Sequence, residues 1–321
     1  MSTALRLIRS EFLVLLLSGV LLIALAPFTP GLISIDNFIN VAGNLAPLLV
    51  VAVGMTVVLI AGGLDLSVTS TIALTSVVGG MAMNGETGWL RGQALAAPFA
   101  AGLMLLLGAL IGASNGLAVT KLRMPAFMVT LTTMMFLSGL AIWMTKSKNI
   151  PGLPPPFTML GTRLWLALFI AATVAAFAHV ALSRSLLGRW LRTVGYNART
   201  AHVSGVPVNG VIVSAYVLSG VCAAVGSVLY TARLETASPV LGQRILLDVI
   251  GATVIGGTSL FGGKGKVLWT LFGVLFLTLL DNALNLQGLS HFTIMMVKGL
   301  VILLAALVDV ARRSWLIVDG P

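Results

Sequence analysis

Ten apolar stretches follow one another along this chain, most of them near the ~20 residues that a helix needs to cross the hydrocarbon of a bilayer. They lie at about 12–29, 41–61, 67–84, 94–119, 125–145, 164–183, 211–232, 249–263, 267–286 and 292–311. A backbone in lipid must satisfy its own N–H and C=O groups, so such stretches fold as helices. The expected fold is therefore all-α and polytopic, with about ten transmembrane helices in a single membrane domain over residues 1–321. Only 9% of the residues are charged, against roughly a quarter in a soluble domain, which leaves no polar exterior.

Two of the ten stretches are unusual. The first follows Arg6 and Arg9 and imitates a secretory signal, with Ala24-Leu25-Ala26 in place of a cleavage site. The spans that come after it, and the stop at Pro27 and Pro30, make it an uncleaved first span. The eighth, 249–263, is too short and too rich in glycine for an ordinary crossing. It reads as a broken or re-entrant segment, which is tolerated where protein or a water-filled cavity surrounds it. Gly62-Gly63 and Gly256-Gly257 each stand beside small polar residues. Spans 2–5 and 7–10 would enter the membrane from opposite sides, the arrangement of an inverted repeat.

The net charge of +10 is spread singly or in pairs between the apolar runs. No basic patch with interleaved aromatics suggests nucleic acid. With the N-terminus inside, the cytoplasmic side receives Arg6, Arg9, Lys121, Arg123, Arg184, Arg189, Arg192, Arg199, Lys264, Lys266, Arg312 and Arg313. The outer side receives Arg91, Lys146, Lys148, Arg163, Arg233 and Arg244, and Lys298 stays within a span. The bias places both termini in the cytoplasm. The longest cytoplasmic connection then runs over 184–210. The outer loops are 146–163, expected to be extended because of Pro151, Pro154, Pro155 and Pro156, and 233–248.

Enzyme motifs are absent in substance. Gly112-Ala113-Ser114-Asn115-Gly116 matches G-x-S-x-G literally, but it ends a hydrophobic span, whereas a nucleophile elbow joins a strand to a helix. Its small residues fit close helix approach. Gly262-Gly263-Lys264-Gly265-Lys266 fails the spacing of a phosphate loop. His179, His202 and His291 lie in separate regions, and Cys222 is a lone packing residue inside an apolar run.

The polar groups within the spans are more informative. Asp65, just after Gly62-Gly63, either caps the third span with Ser67 or faces the path of a solute. Asp281 and Lys298 lie at equal depth on adjacent spans, ~9–10 Å from the outer connection at the helical rise, and are expected to form a structural ion pair. Asp309 and Arg312 suit a pair at a helix end. In the cytoplasmic connection, Ala198, Ala201 and Ser204 recur at three-residue spacing between Gly195 and Gly205. They suggest a short helix with a smooth face, either docking a partner or resting on lipid phosphates.

At these residues the chain resembles the permease subunits of ribose/xylose/galactose-type ABC importers. The resemblance covers most of the chain. It is carried by Ala52-Val53-Gly54-Met55-Thr56, by Gly62-Gly63-Leu64-Asp65-Leu66-Ser67, by Met124-Pro125-Ala126-Phe127-Met128-Val129-Thr130-Leu131, by Gly195-Tyr196-Asn197-Ala198-Arg199-Thr200-Ala201 with Ser204-Gly205-Val206, and by Ile255-Gly256-Gly257-Thr258-Ser259-Leu260 with Gly262-Gly263. Thr69 and Tyr196 stand where the family usually has glycine.

The resemblance implies a bacterial inner-membrane permease that moves a monosaccharide or related small polar solute. Its partners would be a second permease copy or homologue, cytoplasmic ATP-binding subunits and an external solute-binding protein. The chain itself would have no cofactor and no catalytic residue, because ATP is bound by the partner subunits. Asn197, Ala198, Arg199, Thr200, Ala201, Ser204 and Gly205 are expected to couple to the ATPase. Gly62, Gly63, Asp65, Ser67, Asn115, Thr130, Gly256, Gly257, Thr258 and Ser259 are expected along the translocation pathway. The alternative is an ion-coupled secondary transporter, which would call for more buried carboxylates than Asp65 and Asp281.

Overall fold

The structure, a computed structural model, describes residues 12–318, with side chains described as far as 307. Arg6, Arg9 and the side chains of Asp309, Arg312 and Arg313 lie outside the described residues. The α-helices of the described chain are α1 Leu13–Leu25, α2 Ile35–Ile60, α3 Val68–Met83, α4 Ala96–Lys121, α5 Ala126–Thr145, α6 Pro155–Thr162, α7 Leu164–Arg184, α8 Leu186–Tyr196, α9 Ala198–Val203, α10 Val208–Arg233, α11 Leu246–Gly256, α12 Val267–Leu286 and α13 His291–Val318. Six of them, α2, α4, α5, α7, α10 and α12, are long and apolar enough to cross a membrane. The one β-bridge among the described residues pairs Ile150 with Ala237.

α2 is the axis of the molecule. Ser34 caps it by accepting from Asn37 N at 3.2 Å, and from Ala46 to Ile60 every residue is buried. α7, α10, α11 and α12 pack around it. The most extensively packed pair is α4 with α10, where Gly108, Gly112 and Gly116 recur every fourth residue along one face. A Cβ on Gly116 would stand 2.7 Å from Val213 Cα, so the glycines let the two backbones approach, as small residues do in membrane helices. The G-x-S-x-G run is thus helix interior, with Ser114 Oγ donating to Ile111 O at 2.7 Å.

Three expectations are corrected. The proline-rich outer loop contains a helix: Pro154 stands before α6, and Pro155 and Pro156 occupy its first turn. Proline suits that position, where its missing N–H has no intrahelical partner. The eighth stretch is shifted, because α11 starts at Leu246 and ends at Gly256, so 257–263 is not helical. Gly195 does not flank the short cytoplasmic helix but lies inside a separate amphipathic one, α8.

Candidate functional site

The chain breaks twice at glycine pairs. After α2, Gly62 takes φ +81° and the connector 61–67 folds inward among α4, α5 and α10. A carboxylate buried there needs partners to offset lost hydration, and Asp65, 2% exposed, has three. Its Oδ1 accepts from Ser67 N at 3.1 Å and Ser67 Oγ at 2.6 Å, and its Oδ2 accepts from Ser219 Oγ at 2.7 Å. Ser67 Oγ in turn accepts from Asn115 Nδ2 at 2.8 Å, and Asn115 Oδ1 accepts from Thr133 Oγ1 at 2.8 Å. The Leu64 carbonyl receives Thr130 Oγ1 at 3.2 Å and Tyr216 Oη at 3.3 Å.

This geometry gathers Asp65, Ser67, Asn115 and Thr130 into one buried network. Three further members, Thr133, Tyr216 and Ser219, come from α5 and α10 and carry no local motif. Tyr216 and Ser219 lie three apart and so share a helix face, the only sequence signal that pairs them. Ser67 does not cap α3 with its side chain; its hydroxyl is spent on Asp65. Thr133 also lines an open groove of about 360 Å³ on the α4–α5 face, with Ser114 and Thr132 beside it.

The second break follows α11. Gly257 takes φ +105°, its N–H donates to Val254 O at 2.9 Å, and Thr258 N donates to Thr253 O at 3.0 Å. This is a Schellman stop, for which an αL glycine is the usual residue. Among the described residues Thr258 Oγ1 is buried with no hydrogen-bond partner. The hydrogen bonds of Asp65 come from Ser67 and Ser219, and the 256–259 stretch forms the second break apart from them. Gly256 instead packs on α12, where a Cβ would overlap the Trp269 carbonyl.

The two breaks meet through the 184–210 connection. Gly263 N donates to Ile60 O at 2.9 Å. A Cβ on Gly262 would lie 2.5 Å from Gly195 O and 2.9 Å from Gly62 Cα, and one on Gly195 would overlap Ile60 O. Three backbones thus touch where no side chain fits. α8 continues into α9, which Asn197 caps by accepting from Thr200 N at 3.0 Å. Gly205, at φ +81°, ends α9, with Val206 N donating to Ala201 O at 3.0 Å.

Ala198, Arg199, Thr200, Ser204 and Gly205 are exposed, but Ala201 is fully buried in the main core. The smooth face formed by Ala198, Ala201 and Ser204 does not exist, because α9 turns Ala201 inward. The outward side carries Val203, 83% exposed. Arg192, Thr193, Tyr196, Asn197, Thr200 and Gly263 line a surface cavity of about 390 Å³ beside it.

At the opposite end, Lys298 Nζ lies 2.8 Å from Asp281 Oδ1 and 2.9 Å from Asp248 Oδ1. The ion pair has a third member that the shifted start of α11 hid: Asp248 falls in its first turn, where the helix dipole favours an acid.

Residues 37–306 match the family model described as branched-chain amino acid transport system / permease component. The ribose import permease protein RbsC of Escherichia coli K12 is 36% identical over 309 residues, covering 90% of each chain. That of Bacillus subtilis is 37% identical over 301 residues, covering 90% of this chain and 89% of its own. The L-arabinose transport system permease protein AraH of E. coli K12 is 32% identical over 304 residues, covering 93% and 90%. No solved structure matches.

Proposed function

The chain belongs to this family of transport-system permease components, and from that premise we propose that it is the membrane-spanning subunit of an ABC importer for ribose or a closely related sugar. The end-to-end likeness to ribose import permeases carries the reading. ATP is bound and hydrolysed by separate cytoplasmic subunits, an external binding protein delivers the sugar, and the permease adds no cofactor of its own.

In this reading the four shorter apolar helices, α1, α3, α11 and α13, complete ten membrane segments with the six long ones, and both termini are cytoplasmic. α2–α5 and α10–α13 form the inverted repeat. The neighbour pattern supports this: exchanging the two sets turns the pairs α4–α10, α3–α4 and α3–α5 into α12–α2, α11–α12 and α11–α13, all of which are packed.

α8 and α9 receive the ATPase through Asn197, Arg199, Thr200 and Val203. Because Gly195 lies against both breaks, a push on α8 moves the 61–67 and 257–266 connectors together. Coupling by this route requires that the partner contact α8–α9 differently in its two nucleotide states. The sugar passes along the α4–α5 groove, where the Ser114, Thr132 and Thr133 hydroxyl oxygens, their protons donated within the chain, are left as acceptors, with a second copy closing the open side.

Deleting the gene and measuring uptake of labelled ribose, arabinose and galactose tests the reading. Loss of ribose uptake, restored by the gene, is expected; unchanged uptake of all three would contradict it.

A further inference from the structure

We infer that the cytoplasmic half of this chain holds an anionic phospholipid, with one acyl chain in an apolar slot open to the membrane and the phosphate beside Lys121. The slot is a cavity of about 280 Å³ between α2, α7 and α10, bounded by Val53, Val57, Val174, Phe177, Cys222 and Val225. Its single hydroxyl, on Thr173, is already donated to Phe169 O at 2.8 Å. Such a cavity holds no water and accepts apolar matter.

The slot does not end blindly. Leu187 and Leu218 line both it and a wider groove of about 650 Å³ on the far side, which reaches Thr120, Lys121, Asn209 and Ser214. Thr120 and Ser214 donate their hydroxyls to their own helices. Lys121, exposed at the end of α4, is the cation of the groove. A wholly apolar compartment thus opens past two leucines into a compartment with one fixed positive charge. That succession matches an acyl chain and its phosphate, and basic side chains at this level attract anionic headgroups.

The bilayer itself supplies the occupant. Phe177, on the slot's wall, is 69% exposed on the outward apolar face of α7 that also carries Phe169, so a lipid chain enters sideways from the membrane. α8 forms the roof through Leu187 and Leu191. A bound lipid would therefore brace the helix that carries Gly195, and its loss would loosen the α8–α9 segment.

The inference depends on the chain being embedded in membrane, not on its solute or its ATPase. Its test therefore uses the purified chain alone, and a negative result leaves the importer reading standing. Native mass spectrometry of the detergent-solubilised chain, titrated with palmitoyl-oleoyl phosphatidylglycerol, should reveal one lipid per chain that survives strong collisional activation. Lys121→Gln should need about fivefold more of that lipid for half occupancy, the factor expected for one basic residue near the surface. Ala178→Phe, which fills the slot, should lose the resistant lipid, and phosphatidylcholine should bind more weakly than phosphatidylglycerol. Equal occupancy in wild type and Lys121→Gln, or equal binding of the two lipids, would overturn the assignment. Lys121 is on the surface, so that arm stands even if Ala178→Phe fails to fold.

Discussion

The backbone N–H of Gly263 donates to the carbonyl of Ile60 at 2.9 Å, tying the connector after α11 to the last turn of α2. Gly195 of α8 lies against both partners. The 184–210 connection, the first helix break and the second are thus one contact, and the two glycine breaks do not act as separate features.

Gly195→Ala should test that contact. Its Cβ would overlap Ile60 O, and overpacking of this kind costs about 1–3 kcal/mol. The expected outcome is a lower melting temperature in detergent together with lost sugar uptake. Gly210→Ala, with open space around the new methyl, should leave both unchanged.

Asp65 holds the first break shut. Asp65→Ala leaves the Ser67 N–H and the Ser219 hydroxyl without their buried acceptor, at about 1–3 kcal/mol for each orphaned group. Asp65→Asn keeps one acceptor oxygen and should cost less. Thermal unfolding of the two variants should rank Asn above Ala. Equal loss in both would mean that the negative charge, and not the hydrogen bonds, holds the connector.

Lys298 serves two carboxylates, so its removal should hurt more than that of either partner. Lys298→Met leaves the half-buried Asp248 and Asp281 without their shared cation, and each charged hydrogen bond lost costs about 1.5–3 kcal/mol. Asp281 is the more exposed of the two, at 42% against 17%, so Asp281→Asn should be the mildest change and Asp248→Asn intermediate. Unfolding midpoints in detergent check the order.

The ten-segment topology makes a separate demand. In a Cys222→Ala background, single cysteines at Lys148 and Arg199 should react with membrane-impermeant maleimide from opposite faces. Arg199 serves better than Arg192, whose guanidinium is bound to Leu182 O. Labelling of both from outside would rule the topology out.

The membrane helices are legible in the sequence because lipid demands long apolar runs, and six of the ten expected spans have both observed ends within three residues. α6 is not legible: four prolines suggest extension, and only their position relative to the first turn decides otherwise. α8 and α9 hide in a polar connection where no lipid enforces a pattern. Ala201 was misplaced because a six-residue helix is too short for spacing to fix a face, and burial there is decided by the core formed with Leu191, Val206 and Val211. Thr133, Ser219 and Asp248 join their clusters by tertiary approach, which local sequence does not record. The Gly-Gly pairs announce breaks, yet nothing in them tells that the breaks meet.

In the proposed coupling, α8–α9 passes the work of the ATPase to the paired breaks. Val203 tests it most directly, since it is 83% exposed at the outward tip of α9, and Val203→Glu should leave the fold intact. The measurement is sugar-stimulated ATP hydrolysis by the permease reconstituted with its ATPase subunits and binding protein. Val203→Glu should keep the wild-type melting temperature and lose the stimulation. Wild-type stimulation in that variant, together with full stimulation in Arg199→Glu, would contradict it.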